Sequence, residues 1–207
     1  MNAGLVSRTF RVGALSVLTL IIGCASSTEV PPQATSGLLE VRNGLIDGKA
    51  QIQKTTAAAR DMINNPRQDV GAQINAFSDQ VAQLDKDRVQ ARDKAQDVQA
   101  RAQDYFSKWE EQLKTMSGSM AEAGQKRREE SMASFGRMRD DMAGLRQRFA
   151  PFMNDLRESD RYLKTDPTTA GVKAATPTLR NALNQEPEVL RSIDQLIAQI
   201  DQVRGGK

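Results

Sequence analysis

The sequence predicts an all-α protein, an elongated antiparallel coiled coil or four-helix bundle that narrows to a helical hairpin. Aromatic residues make up only 4% of its 207 residues, and Ala, Gln, Arg, Asp, Lys and Glu dominate, as is typical of helices. Apolar residues recur three and four positions apart along four segments, which indicates helices that each bury one face. Short turns separate the segments, so neighbouring helices are expected to be antiparallel.

The first segment, residues 1–23, has the features of an export signal. Arg8 and Arg11 make it positively charged, and an apolar run of about eleven residues follows, from Val12 to Ile22. A helix that spans a bilayer needs roughly twenty apolar residues. This run is much shorter, so it is typical of a cleaved signal rather than of an anchoring helix.

The only cysteine of the chain, Cys24, directly follows this run. The residues Ile21-Ile22-Gly23-Cys24 resemble a bacterial lipobox, whose cysteine receives a diacylglyceryl group before the signal is cleaved. This predicts cleavage between Gly23 and Cys24 and a lipid on Cys24, and two or three acyl chains hold a protein stably on a membrane. The alternative is a plain secretory signal with an incidental cysteine. Ala25 stands where some enterobacterial lipoproteins carry an aspartate for inner-membrane retention, which favours the periplasmic face of the outer membrane.

Residues 24–35 are predicted to form a flexible tether, since they contain two prolines and lack apolar periodicity. Four helices are predicted beyond it, at about 36–64, 67–116, 119–164 and 167–204, in one bundle of residues 36–207. The stripe of the first helix is Leu38, Val41, Leu45, Gly48, Ile52, Thr55, Ala59 and Met62. The stripe of the second is Val70, Ile74, Phe77, Val81, Leu84, Arg88, Ala91, Ala95, Val98, Ala102, Tyr105 and Trp109.

The third helix is predicted to open with a capping box formed by Ser119 and Glu122. Its stripe is Ser131, Phe135, Met138, Met142, Leu145, Phe149, Phe152, Leu156 and Leu163. Pro151 lies inside this stripe and is expected to kink the helix. The stripe of the fourth helix is Val172, Leu179, Leu183, Leu190, Ile193, Ile197 and Ile200. Pro177 and Pro187 are expected to divide that helix into segments or to kink it.

The lengths of these helices predict how they pair. The first helix is too short to cover the second and is expected to pair with residues 67–95, whereas the third returns along the whole of it. The result is a four-helix bundle at the Pro66 end and a hairpin tip at Ser117-Gly118.

The composition argues against several classes of function. Removal of residues 1–23 takes away two arginines and no acidic residue, which lowers the net charge from +3 to +1, so nucleic-acid binding has little support. There is no histidine, and adjacent carboxylates such as Asp140 and Asp141 point about 100° apart on a helix. Neither a glycine-rich phosphate loop nor a metal-ligand spacing is present. We therefore expect no enzyme activity, no metal, no cofactor and no small-molecule substrate.

Three groups of residues are candidates for other roles. Arg88 occupies a core position of the second stripe, where a polar residue commonly sets helix register. Tyr105, Phe106 and Trp109 lie near the tip and are candidates either for packing or for contact with a protein partner. The C-terminal Lys207 follows two glycines and is a candidate for attachment to peptidoglycan, as in the small murein lipoprotein of enteric bacteria.

Two stretches carry a resemblance to a known family. Phe106-x-x-Trp109 and Phe149-Ala-Pro151-Phe152-Met-x-x-Leu156-Arg157, followed by Tyr162-Leu163-Lys164, resemble an uncharacterised family of bacterial lipoproteins catalogued as a domain of unknown function. The resemblance covers roughly residues 36–203 and is best over 105–164. Beyond Lys164 the chain departs from the pattern by about one additional heptad. The family implies an envelope location and a helical body, and it implies no enzyme activity.

Together these observations predict a lipid-anchored envelope protein that faces the periplasm and acts as a spacer or scaffold through helix–helix contacts. It would associate with the membrane through its lipid and with itself or an envelope protein through its helices. The alternative is an adaptor or inhibitor that binds one envelope protein through Tyr105, Phe106 and Trp109.

Overall fold

The computed structural model describes residues 32–205, which form four helices. These are α1 (Pro32–Asn64), α2 (Gly71–Leu113), α3 (Ser119–Thr165) and α4 (Thr169–Gly205). Contacts join α1 to α2, α2 to α3, α3 to α4 and α4 back to α1, which gives an up-down-up-down bundle. The predicted all-α fold is confirmed. The predicted signal peptide, Cys24, most of the tether and Lys207 lie outside the described residues.

The helix boundaries differ from the predicted ones by up to four residues. α1 begins at Pro32, so residues 32–35 are helical rather than part of the tether, and proline suits the first position of a helix. α2 begins at Gly71, after a turn in which the Asp69 carboxylate accepts the Gly71 amide hydrogen bond at 3.0 Å. It ends at Leu113, three residues before the predicted end.

The predicted capping box at the start of α3 is wrong. Gly118 occupies the N-cap position, with φ 64°, and no side chain caps the helix. The amides of Ala121 and Glu122 donate instead to the Gly118 carbonyl, at 3.1 and 3.3 Å. Because glycine adopts this left-handed backbone without a steric penalty, Gly118 provides the sharp turn at the tip.

The three internal prolines do not end their helices. Pro151 lies within α3, and both Pro177 and Pro187 lie within the single element α4, so the expectation of separate segments in the fourth helix is wrong. All three prolines are exposed. The carbonyl groups that lose their intrahelical donors are therefore on the solvent side, where water can bind them.

The buried face of α4 also differs from the predicted stripe. Leu183, Leu190 and Ile197 are only partly buried against the core. The buried positions recur at alternating spacings of three and four and are Val172, Ala175, Leu179, Ala182, Glu186, Val189, Ile193, Leu196 and Ile200. The polar Glu186 interrupts this repeat in the sequence. In the bundle it accepts a hydrogen bond from Thr56 Oγ1 at 2.8 Å and pairs with Arg60.

The four helices do not have the same extent. A Cβ atom on Gly37 would lie 3.0 Å from Val98, so antiparallel α1 begins level with residue 103 of α2. Gln199 donates to Asp141, so α4 ends about level with residue 135 of α3. Among the described residues, α2 and α3 continue beyond these levels as a two-helix hairpin of residues 104–134. The arm that α2 contributes, residues 104–113, is about 15 Å long.

Within residues 32–205, none of the helices has a stretch that is apolar and long enough to cross a membrane.

Candidate functional site

The helices α2 and α3 meet at two levels. Toward the Pro66 end, Arg157 on α3 forms an ion pair with Asp85 on α2. Toward the tip, the rings of Phe106 and Phe135 pack edge to face with centroids 5.4 Å apart, and Arg128 Nε donates to the Phe106 carbonyl at 3.1 Å. About twenty residues of α2, or roughly 30 Å of helix, separate the two levels.

Between these levels lies a cavity of about 570 Å³, which we call the groove. Its walls are α2 and α3, and α1 and α4 contribute side chains such as Leu45 and Leu196. The apolar lining includes Phe135, Met138 and Met142. The groove has the size and the mainly apolar lining that are typical of small-molecule sites, whose volumes are roughly 300–1,000 Å³.

Small residues explain why the groove is not filled. Added Cβ atoms on Gly44, Gly48 and Gly136 would have no neighbour within 4 Å, and the positions on α2 that line the groove include Ala91 and Ala95. Gly124, by contrast, is close-packed, since an added Cβ atom there would lie 2.4 Å from Leu113 Cδ2. Glycine in a helix interior costs about 0.5–1 kcal/mol relative to alanine, and the three groove glycines have no close contact that requires them.

Between the two end contacts, the ion pairs of the groove-lining residues of α2 and α3 join residues of the same helix. Arg92 bonds its neighbour Asp93, and Arg139 bonds its neighbour Asp140, each at 3.1 Å. At the Pro66 end, by contrast, polar side chains join different helices, as when Ser78 on α2 donates to Asp160 on α3. Between the levels of Asp85 and Phe106, therefore, no polar contact among the described residues joins α2 to α3.

Positive charge predominates around the groove. Its basic lining residues are Arg88, Arg92, Lys94, Arg139, Arg146 and Arg157, and its acidic ones are Glu40 and Asp87. The basic side chains have apolar stems that can lie along the groove while their charged ends remain in water. An apolar interior with a cationic rim is the arrangement that suits a ligand with an apolar chain and an anionic head.

The Pro66 end of the groove is closed by a carboxylate between two arginines. Asp85 accepts from Arg88 Nε at 2.9 Å and from Arg157. Partial burial raises the pKa of Asp85, but the hydrogen bonds and charges of the two arginines outweigh it and hold that pKa below its usual value. Arg88 is thus a partly exposed member of this cluster and lines the groove, whereas its stripe position had predicted a core residue that sets register.

The three aromatic residues near the tip end of α2, Tyr105, Phe106 and Trp109, form a cluster. The ring of Tyr105 lies 5.5 Å from that of Phe106 and 5.6 Å from that of Trp109. Only Phe106 is buried, while Tyr105 and Trp109 are half-buried, so the predicted stripe through Tyr105 and Trp109 is wrong and the buried face runs through Ala102, Phe106 and Leu113. Burial raises the pKa of the Tyr105 hydroxyl, opposed by the charge of Arg127.

The buried carboxylates serve the packing of the bundle. Glu186 is bound by Thr56 and Arg60, and Asp160 is bound by Ser78 and by Lys164, the latter at 2.8 Å. In the part of the chain that the structure describes, no group of three or more metal-binding side chains comes together. These carboxylates have structural partners and show no arrangement for acid–base chemistry.

Sequence reasoning missed the groove because its residues follow the helical repeat. Gly48, Ala91 and Ala95 lie on the predicted stripes and were expected to pack in the core. The signal that separates them from core residues is their size, since several small residues coincide at one level of the bundle on two neighbouring helices.

Neither the curated proteins nor the solved structures include a match to this chain. A family model described as "Protein of unknown function (DUF2959)" matches residues 37–204, which begin and end within the four-helix body. The resemblance to an uncharacterised family is thereby confirmed, and the chain belongs to the DUF2959 family of proteins of unknown function.

Proposed function

We propose that this protein is a lipid-anchored envelope protein that faces the periplasm and acts as a non-enzymatic spacer or scaffold through helix–helix contacts. The observation that carries the proposal is the lipobox-like sequence ending at Cys24, placed before an elongated helical body. The buried carboxylates of the body have structural partners, which suits a scaffold better than a catalyst.

The position of α1 supports a particular arrangement at the membrane. Pro32 lies level with residue 103, partway along the rod, rather than at one of its ends. Pro32 is eight positions after Cys24, and an extended chain of that length reaches at most about 28 Å. A lipid on Cys24 would therefore hold the rod at a level nearer the hairpin tip than the Pro66 end, and both the four-helix part and the hairpin would be available for contacts.

Replacement of the cysteine tests this proposal. Cys24→Ser removes the thiol that accepts the lipid, so the variant is expected in the aqueous fraction of lysed cells with its helicity unchanged by circular dichroism. Ser26→Ala, two residues away, is the matched control and should remain with the membranes. Recovery of Cys24→Ser in the membrane fraction at the level of the control would contradict lipid anchoring.

The adaptor alternative is favoured by one observation. Tyr105 and Trp109 remain half-buried on a part of α2 that only α3 accompanies, and such aromatic residues are common anchors of protein interfaces. In-cell crosslinking of Trp109→Ala tests it, with the exposed Tyr162→Ala as control. Loss of a specific crosslinked partner from Trp109→Ala alone, with helicity retained, favours the adaptor. Unchanged crosslinking favours the scaffold.

A further inference from the structure

We propose that the groove binds one long-chain anionic amphiphile, such as a fatty acid, with its alkyl chain between α2 and α3 and its charged head at the arginines of the rim. This site is separate from the proposed lipid on Cys24, and the inference does not depend on how the protein is anchored. It rests on the volume, the lining and the charge of the groove.

The volume of the groove suits an alkyl chain. A methylene group is similar in size to water, whose share of liquid volume is about 30 Å³, so 570 Å³ has room for a chain of roughly sixteen to nineteen carbons. An acyl chain spans one leaflet of the bilayer core, about 15 Å. It can therefore lie between the level of Asp85 and that of Phe106 without displacing either contact.

A helix from a partner fits the same space less well. A partner helix with its side chains is about 10–12 Å across, which is much wider than a single alkyl chain. The contacts between Asp85 and Arg157 and between Phe106 and Phe135 close the two ends of the groove. Insertion of a helix would require α2 and α3 to separate further, whereas an alkyl chain requires no such change.

The charge of the rim specifies the head of the ligand. Arg92, Arg139 and Arg146 are exposed residues that line the groove, and Asp93 and Asp140 partly neutralise the first two. Glu40 and Asp87 also line the groove, and Asp85 pairs with Arg88 and Arg157. Among the described residues this leaves Lys94 and Arg146 as basic lining residues without an ion pair. A carboxylate or phosphate head is therefore attracted to the rim, whereas an uncharged head gains less.

The proposed site is tested by measuring the binding of a sixteen-carbon fatty acid before and after the groove is filled. Full-length protein carrying Cys24→Ser, so that no attached acyl chain competes, is dialysed against radiolabelled hexadecanoate below its micelle concentration. We expect saturation at one hexadecanoate per chain. The double substitution Gly48→Leu with Ala95→Leu fills the groove, and since each excluded methylene is worth about 0.8 kcal/mol, binding should weaken by more than about tenfold.

Ala100→Leu provides the matched control, because Ala100 is exposed on the same helix and does not line the groove. It should bind hexadecanoate as well as the parent protein. Unchanged binding by the filled variant, or failure of the parent to bind at one equivalent, would overturn the proposal. Circular dichroism establishes that each variant remains helical.

The head group is tested with a second pair of variants. Arg92→Gln with Arg146→Gln should weaken hexadecanoate binding by about threefold for each charge removed, whereas Arg161→Gln, exposed and outside the groove, should have no effect. Binding of hexadecanol should be the same in all three proteins. Equal loss of the acid and the alcohol would contradict recognition of the charge.

Light scattering distinguishes a second copy of the chain from a small ligand. The parent protein is expected to have the same mass as the filled variant. If the parent were a dimer that the filled variant converts to a monomer, the groove would be an interface between copies, and the proposed ligand site would be wrong.

Discussion

The Pro66 end of the bundle and the region of the groove share one heptad repeat but differ in how it is filled. At the Pro66 end, Phe77, Phe152 and Leu156 are fully buried. At the level of the groove, the corresponding faces of α1 and α2 carry Gly48 and Ala95, among other small residues. The apolar period specifies helices in both regions, and side-chain volume decides whether neighbouring helices come into contact.

Truncation of leucines in the two regions should give the largest difference in stability. Leu156 is fully buried, whereas Leu145 is partly buried and lines the groove. Leu156→Ala leaves a cavity in a filled core and should lower the free energy of unfolding by about 2–5 kcal/mol. Leu145→Ala removes contacts beside space that already exists and should cost about 1 kcal/mol. Urea denaturation of both variants measures the difference, and equal losses would contradict it.

Replacement of an alanine by leucine should destabilise the protein in the filled core and stabilise it in the groove. Ala182 is fully buried in the filled core, so Ala182→Leu is overpacked and should destabilise the protein by about 1–3 kcal/mol. Ala95→Leu adds apolar surface within the groove and should stabilise it by up to about 1 kcal/mol. Thermal unfolding monitored at 222 nm provides the comparison. A loss of stability in both variants would mean that the groove is closed in solution.

The sequence predicted which segments are helical better than it predicted which face of each helix is buried. The apolar period located all four helices, because each buries a stripe. It placed Leu190 rather than Val189 in the core of α4, because the buried Glu186 breaks the apolar pattern, and its pairing with Thr56 and Arg60 depends on residues more than 120 positions away. It also assigned Tyr105 rather than Phe106 to the buried face of α2, since both are aromatic and adjacent.

The groove was harder to predict for a different reason. An alanine on a stripe is compatible with close helix packing as well as with empty space, so Ala91 and Ala95 alone do not distinguish the two. The distinction requires knowing that Gly44 and Gly48 on α1 lie at the same level. That juxtaposition depends on the pairing of α1 with α2, which a single helical period does not contain.

The stability of glycine-to-alanine variants should show which helical glycines have close neighbours that leave no room for a side chain. Gly44 lies within α1 and an added Cβ atom meets nothing within 4 Å, so Gly44→Ala should raise stability by about 0.5–1 kcal/mol through its effect on backbone entropy. The same atom on Gly171 would lie 2.1 Å from the Asp166 carbonyl oxygen, so Gly171→Ala should destabilise the start of α4. Denaturation midpoints measure both effects, and a destabilising Gly44→Ala would contradict the open space assigned to the groove.

The smallest expected effect concerns the carboxylate at the boundary between the two regions. Asp85 pairs with Arg88 and Arg157, and its pKa is below its usual value. A carboxylate with a lowered pKa in the folded state stabilises the protein above its unfolded pKa, near 3.9, and loses that contribution as the pH falls through the lower folded value. Because the side chain is 38% exposed, solvent screening limits the contribution to about 1 kcal/mol or less.

Asp85→Asn should therefore be less stable than the parent at pH 7, and the difference should shrink below about pH 4. Asp93→Asn, whose carboxylate pairs only with its neighbour on the same helix, should show a smaller difference at pH 7. Urea denaturation at pH 7 and pH 2 measures both variants. A difference for Asp85→Asn that is equally large at the two pH values would mean that its carboxylate charge does not join α2 to α3.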